Sequence, residues 1–211
     1  NPLADYAMGT VELSTIKSAD GTTDLHTRMI KPSDFDPNKK YPVLVYVYGG
    51  PHAQMVTNRW LGGAPLWMYY QAERGYIIYT VDNRGSAYRG FEFESVIHRN
   101  LGDAEMDDQM KGVEYLKSLP YVNADKMAVH GWSYGGFMSS WVVGHTNRFK
   151  AASIGAPVVD LAPPANALTT TGLPATISSI IRRCSSVYEC GIDAFICFPV
   201  CLNQKAILAL N

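Results

Sequence analysis

The sequence predicts an α/β fold with a mostly parallel sheet and an antiparallel hairpin at its N-terminal end. Apolar and β-branched runs of strand length recur along the first 160 residues, as is typical of strands buried on both faces. Segments of helix length separate these runs, and such alternation indicates βαβ units. A hairpin pattern precedes the first buried strand, so the predicted sheet is mixed.

The predicted elements follow one another along the chain. Residues 10–18 and 25–32 flank the turn-like segment SADGTTD and predict the hairpin. Four apolar runs predict buried strands, at 43–51, 76–85, 126–133 and 151–158. Three segments of helical character separate them, at 66–74, 103–119 and 135–146. Acidic residues crowd the start of the second helix and Pro120 follows its end, as helix termini favour.

Residues 161–211 differ in composition from the part before them. All eight Met, all four Trp and all five His precede position 160, whereas all four Cys follow it. These thiols lack the C-x-x-C spacing of zinc and redox sites, which favours incidental cysteines. A strand-like run occupies 193–202, and 203–210 has the character of one or two helical turns. We therefore predict an incomplete α/β catalytic domain over 1–160 and a tail over 161–211 that is frame-shifted or disordered.

Composition and charge disfavour several classes of function. The formal net charge is −1 over 211 residues, without any run of Lys or Arg, which argues against nucleic acid and membrane lipid as partners. No apolar stretch approaches the roughly 18 residues of a membrane span. The start NPLADYAMGT has neither the charged n-region nor the apolar h-region of a signal peptide, and it resembles the interior of a longer protein. No metal or organic cofactor is implied.

Residues 131–135, with the sequence GWSYG, match the pattern G-x-S-x-G of a nucleophile elbow. The match lies between a predicted buried strand and an apolar helix, which is where an elbow occurs. The chain must reverse sharply at Ser133, and only small residues at 131 and 135 let strand and helix approach. We interpret Ser133 as a nucleophile beside the free N–H groups of a helix N-terminus. The competing interpretation is a glycine-rich turn with an incidental serine.

An acyl-transfer site also needs hydrogen-bond donors for the developing oxyanion. The backbone N–H of Tyr134, the residue after the nucleophile, is one such donor. The second donor is expected from the loop after an earlier strand, where Tyr48 precedes Gly49, Gly50 and Pro51. From spacing alone, a Tyr48 hydroxyl aimed at the oxyanion and a Tyr48 ring in the core are equally compatible with the sequence.

Five motifs together resemble the prolyl oligopeptidase family, and within it the dipeptidyl peptidase IV branch found in bacteria. They occur in the family's order, namely VYVYGGPHAQ (45–54), VDNRGSAYRGFEFE (81–94), LGDAEMDDQ (101–109), GWSYGGFMSS (131–140) and GAPVVD (155–160). The resemblance covers residues 5–160. It implies the α/β-hydrolase domain of a serine peptidase, which in this family lies under an N-terminal β-propeller of the parent protein.

The resemblance also implies roles for individual residues. Ser133 is the nucleophile, and the Tyr48 hydroxyl and the Tyr134 amide line the oxyanion hole. The Tyr134 ring and Val158 form walls of a small apolar pocket for proline. The implied reaction removes Xaa-Pro or Xaa-Ala dipeptides from the free N-termini of peptide substrates. A periplasmic or secreted location follows by resemblance, and a homodimer is left open.

The sequence departs from the family after residue 160. A nucleophile elbow takes its triad in the order Ser, Asp, His, yet only His145 follows Ser133. On the helix that leaves the elbow, His145 is expected on the order of 15–18 Å from the serine, beyond hydrogen-bond reach. The candidate acids are Asp160 and Asp193. Asp160 closes a strand edge, whereas the family takes its acid from a later strand, and Asp193 lies in a segment without a family motif. Leu161 occupies a position where the family has Trp, and no triad Asp or His is identified.

Three functions are compatible with these observations. The first is a serine peptidase of the dipeptidyl peptidase type. The second is a catalytically dead remnant, which the missing Asp and His favour. The third is a general serine esterase, because fold alone does not fix the substrate. The sequence YGGP in place of the HGGG-type loop of esterases argues against the third.

Overall fold

The computed structural model describes residues 2–158 and the strand 194–198. In this part of the chain, seven strands form one sheet: β1 (Thr10–Lys17), β2 (Asp24–Lys31), β3 (Tyr41–Tyr46), β4 (Ile77–Asp82), β5 (Val122–Trp132), β6 (Ala151–Gly155) and β7 (Ala194–Phe198). The described α-helices are α1 (Leu66–Glu73), α2 (Phe91–Ser95), α3 (Asp103–Ser118) and α4 (Tyr134–His145), and a 3₁₀-helix spans Trp60–Gly63. None of these helices has the length and apolar character needed to cross a bilayer.

The strands lie in the order β1-β2-β4-β3-β5-β6-β7. β2 pairs antiparallel with both β1 and β4, whereas every other neighbouring pair is parallel. The predicted α/β class, the N-terminal hairpin and the mixed sheet are therefore confirmed. β7 lies inside the strand-like run 193–202, and the predicted helical turns at 203–210 lie outside the described residues.

Differences from the predicted elements lie mainly at their ends. β3 ends at Tyr46 rather than continuing to 51, because the chain turns at Gly49, whose φ is +76°. β5 begins at Val122, earlier than the expected start at 126. α2 was not predicted, since a helix of five residues is too short to show a periodic pattern.

The core lies on both faces of the sheet. Alternate residues of a strand point to opposite faces, so Val43 and Val45 of β3 join one cluster while Leu44 and Tyr46 join the other. Side chains of α3 and α4 cover the first face, and α1 covers the second. Because β3 and β5 are parallel neighbours, their carboxyl ends lie side by side, where ligand sites of open α/β sheets form.

Candidate active site

Ser133 lies at the apex of the turn between β5 and α4. Its φ is 59° and its ψ is −116°, a conformation that costs a residue with a side chain of order 1–3 kcal/mol. The Ser133 N–H donates to the carbonyl oxygen of Gly155 in β6 at 2.9 Å, and its carbonyl oxygen accepts the Phe137 N–H at 3.0 Å. Hydrogen bonds to two different elements thus hold the serine in this strained conformation.

Glycines on either side of the serine make the turn possible. A Cβ on Gly131 would overlap the carbonyl group of Gly135 and lie 2.5 Å from the carbonyl oxygen of Val47. A Cβ on Gly135 would also overlap the Val47 carbonyl oxygen. These neighbours are backbone atoms that cannot rotate away, so β5, α4 and the end of β3 approach one another as only glycine permits.

Tyr48 follows β3 at the same edge of the sheet as Ser133. The rings of Tyr48 and Tyr134 are 6.2 Å apart. Gly50 lies so close to the Tyr134 ring that a Cβ at this position would overlap it. The structure thus brings Tyr48, Ser133 and Tyr134 together around the N-terminus of α4, although they come from two separate segments.

Val158 lies in the segment after β6 and is 37% exposed. This segment passes beside the first turn of α4, since a Cβ on Gly136 would lie 2.9 Å from the Cα of Pro157. Pro157, the residue before Val158, therefore lies close to α4, the helix that begins at Tyr134. Asp160, Leu161 and Asp193 lie outside the described residues.

Glu105 is a residue of the candidate site that the sequence patterns do not indicate. The Tyr134 hydroxyl donates to Glu105 Oε1 at 2.7 Å, and the Gly102 N–H donates to Oε2 at 3.0 Å. Glu105 is fully buried. Sequence reasoning explained the acids at the start of α3 by the helix dipole alone. The helical spacing of the sequence does indicate that Glu105 is buried, because it places Glu105 on the same face of α3 as the core residues Val113 and Leu116.

The histidines nearest to Ser133 in sequence have other partners. His145 Nδ1 lies 2.7 Å from the Trp141 carbonyl oxygen, and its ring stacks on the Trp141 ring with centroids 4.4 Å apart. His130 Nδ1 lies 2.9 Å from the Ser153 carbonyl oxygen, and burial lowers the pKa of this imidazole. Within residues 2–158 no side chain hydrogen-bonds to Ser133 Oγ. The same residues contain no group of three side chains placed to hold a metal ion.

Glu105 gives the stability of the fold a pH dependence of defined sign. The pKa of Glu105 is raised above its ordinary value of 4.5, chiefly by burial, while the Tyr134 hydroxyl and the Gly102 N–H oppose the shift. A raised folded-state pKa contributes stability that is complete below pH 4.5 and is lost as the pH rises through the folded-state value. We expect the free energy of unfolding of the wild type, relative to Glu105→Gln, to fall across this window.

The slope of this difference can reach at most about 1.36 kcal/mol per pH unit for one proton. Urea unfolding of both proteins at a series of pH values measures it. Taking the difference cancels the carboxylates with lowered pKa values, such as Asp24 and Asp36, which both proteins share. A difference that stays flat or rises with pH would contradict the prediction.

Comparison with known sequences identifies relatives for most of the described chain. The profile of the prolyl oligopeptidase family matches residues 65–170. Dipeptidyl peptidase 8 of Mus musculus is 39% identical over 159 residues, which cover 74% of this chain and 18% of that protein. Prolyl endopeptidase FAP of Mus musculus is 37% identical over 160 residues, which cover 75% of this chain and 20% of that protein. The chain thus spans about a fifth of the length of these relatives.

Solved structures of dipeptidyl peptidases also resemble this chain. A Bacteroides ovatus protein assigned as a dipeptidyl aminopeptidase IV is 55% identical, with a TM-score of 0.74 over 76% of this chain and 23% of that one. Porphyromonas gingivalis dipeptidyl peptidase 4 is 37% identical, with a TM-score of 0.70 over 75% of this chain and 22% of that one. These likenesses confirm the predicted α/β-hydrolase fold.

Proposed function

Since the chain belongs to the prolyl oligopeptidase family of serine peptidases, as a member of its dipeptidyl peptidase IV type, we propose that it releases Xaa-Pro or Xaa-Ala dipeptides from peptide N-termini through an acyl-enzyme on Ser133. The observation that carries this proposal is the strained conformation of Ser133 at the start of α4, beside N–H groups that have no partner within the helix. Residues 1–160 form the catalytic part in this proposal, and the strand β7 from the segment 161–211 extends its sheet by pairing with β6.

The proposed reaction has two steps. Ser133 Oγ attacks the carbonyl carbon of the bond to be cleaved, and the hydroxyl proton passes to a general base, which no side chain within residues 2–158 supplies at hydrogen-bond distance from Oγ. The Tyr134 N–H and the Tyr48 hydroxyl donate to the oxyanion, a contribution for which the loss of one donor typically lowers kcat by about 10²–10³. The C–N bond then breaks, the leaving amine takes the proton, and water hydrolyses the acyl-enzyme.

Specificity for proline or alanine is proposed to come from a small apolar pocket beside Ser133. The Tyr134 ring packs edge-on against Phe137 with centroids 5.3 Å apart, and it lies against the backbone of Gly50. A ring held on several sides presents a fixed wall, which suits a rigid pyrrolidine or a methyl group better than a long side chain. Val158 is proposed as a second wall.

A catalytically dead domain that binds peptides is the second candidate. It is favoured because His145, the only histidine after Ser133 in the sequence, is bound to Trp141 instead. Without a base the Ser133 hydroxyl stays protonated near neutral pH and is a poor nucleophile. The two candidates therefore differ in the reactivity of one hydroxyl group.

Labelling with a fluorophosphonate separates the two candidates. The probe forms a bond between Ser133 Oγ and phosphorus as fluoride leaves, and the hydroxyl proton passes to the base. We expect the purified wild-type chain to gain the mass of one probe less hydrogen fluoride and Ser133→Ala to gain none, as measured by intact mass spectrometry. A folded wild type that gains no mass would support the catalytically dead domain.

Ser139→Ala is the matched control for this experiment. Ser139 lies on the same helix, is fully buried, and its hydroxyl makes no hydrogen bond within the described part of the chain. The control should be labelled like the wild type. Labelling that survives in Ser133→Ala would assign the reaction to another group.

A further inference from the structure

Buried polar side chains lie on the face of α3 that packs against the sheet. Glu105, Asp108 and Gln109 are each at most 3% exposed. Apolar residues usually occupy such a face, and a buried polar group is costly unless it is hydrogen-bonded. Asp108 binds the loop of Arg84, whereas the other two side chains connect to the segments that carry Tyr48 and Tyr134.

We propose that Glu105 and Gln109 are positioning residues that hold the two oxyanion donors at a fixed separation, an inference that rests on the proposed function. Glu105 acts on the first donor. It accepts the Tyr134 hydroxyl at 2.7 Å, which fixes the side chain of the residue whose amide is the donor. The Gly102 N–H donates to the other oxygen of the carboxyl group, so the acceptor is itself anchored at the N-terminus of α3.

Gln109 acts on the second donor through Asn83. Gln109 Nε2 donates to Asn83 Oδ1 at 2.8 Å. Asn83 Nδ2 donates in turn to the carbonyl oxygen of Gly49 at 2.9 Å. Gly49 directly follows Tyr48 and has a φ of +76°, so this hydrogen bond fixes the loop at the residue where it departs from strand geometry.

The two connections begin on one helix. Glu105 and Gln109 are at i and i+4, which places them next to each other on the surface of α3. The Tyr48 and Tyr134 donors come from different segments, yet hydrogen bonds connect both segments to this single helix, through the Tyr134 hydroxyl and through the Gly49 carbonyl oxygen. A displacement of about 1 Å at such a site can cost on the order of 10²-fold in rate. A helix that does not contact the reacting atoms therefore sets the geometry of the oxyanion hole.

Removal of Glu105 should have no effect once the Tyr134 hydroxyl is absent, if Glu105 acts through that hydroxyl. We expect Glu105→Leu to lower the rate constant of Ser133 labelling by a fluorophosphonate about tenfold or more under native conditions. The double variant Glu105→Leu/Tyr134→Phe should be labelled at the same rate as Tyr134→Phe alone. Glu114→Leu, the same change on the exposed face of α3, should leave the rate unchanged.

The second connection is tested in the same way. Gln109→Leu is expected to slow labelling in the wild-type background and to add nothing in the Tyr48→Phe background. If Gln109 had a merely structural role, Gln109→Leu would slow labelling by the same factor with and without the Tyr48 hydroxyl, which Gln109 does not contact. Additive effects in both pairs of variants would therefore overturn the inference.

Failure of the proposed function gives a different result from failure of this inference. If the wild type is not labelled at all, the proposed function fails, and urea unfolding then tests whether Glu105 and the Tyr134 hydroxyl are energetically coupled, a coupling on which the inference depends. Glu105→Leu and Tyr134→Phe should each change the unfolding equilibrium constant by some factor. The product of these two factors should exceed the factor measured for the double variant by at least about threefold. A double variant equal to the product of the single effects would overturn the inference.

Discussion

Replacing Gly131 by alanine is expected to lower the free energy of unfolding by about 3 kcal/mol or more. The added methyl group would meet backbone atoms of Gly135 and Val47, which belong to the start of α4 and the end of the β3 segment. This steric overlap is relieved only if β5 and α4 move apart, and that movement breaks the packing of α4 on the sheet. Urea unfolding monitored by tryptophan fluorescence measures the loss.

A glycine on the same helix supplies the control for this prediction. Gly144 lies near the C-terminal end of α4 and is exposed. Gly144→Ala should leave stability unchanged or raise it by about 0.5–1 kcal/mol, because alanine has the higher helix propensity. If Gly131→Ala were as stable as Gly144→Ala, the close approach of strand and helix would not hold.

Replacing Asp108 by alanine is expected to lower the free energy of unfolding by about 3–5 kcal/mol, as is typical when one partner of a buried ion pair is removed. Asp108 is fully buried. It accepts the guanidinium of Arg84 at 2.9 Å, the Arg84 N–H at 3.0 Å and the Ala19 N–H at 2.9 Å. Its loss would leave several donors without an acceptor in the space between α3, the β1–β2 turn and the loop after β4.

The neighbouring acid offers a matched comparison. Asp107 is exposed on the same turn of α3, so Asp107→Ala should change stability by no more than about 0.5 kcal/mol. Thermal unfolding of both variants measures the contrast. Equal melting temperatures would show that the buried network does not contribute to the stability of this protein.

Much of the fold could be predicted because its signals are local. All six residues of β4 are buried, and the apolar run YIIYTV is visible without any knowledge of its neighbours. The order of the strands is not local information. Nothing in the sequence of β2 shows that it pairs with β4, and this pairing emerged only with the assembled sheet.

The residues of the candidate site also differ in whether a local sequence pattern indicates them. The sequence predicts Ser133 as the nucleophile because the elbow pattern occupies five consecutive residues. Glu105 was missed because its partner Tyr134 lies 29 residues away and because an acid at a helix start already has a sufficient local explanation. Gln109 and Asn83 are 26 residues apart, and an amide side chain in a helix carries no pattern that indicates a partner. Positioning residues are therefore harder to predict than nucleophiles.

The hydrogen bond from the Ser133 N–H to Gly155 ties the proposed nucleophile to an adjacent strand as well as to its own turn. β6 is paired on its other side with β7, which lies at the far edge of the described sheet. For protein engineering, β6 is therefore a second segment, besides the turn at Ser133, where substitutions can change the reactivity of the serine hydroxyl. Substitutions along β6 are expected to change the orientation of Ser133 without replacing Tyr48, Ser133 or Tyr134.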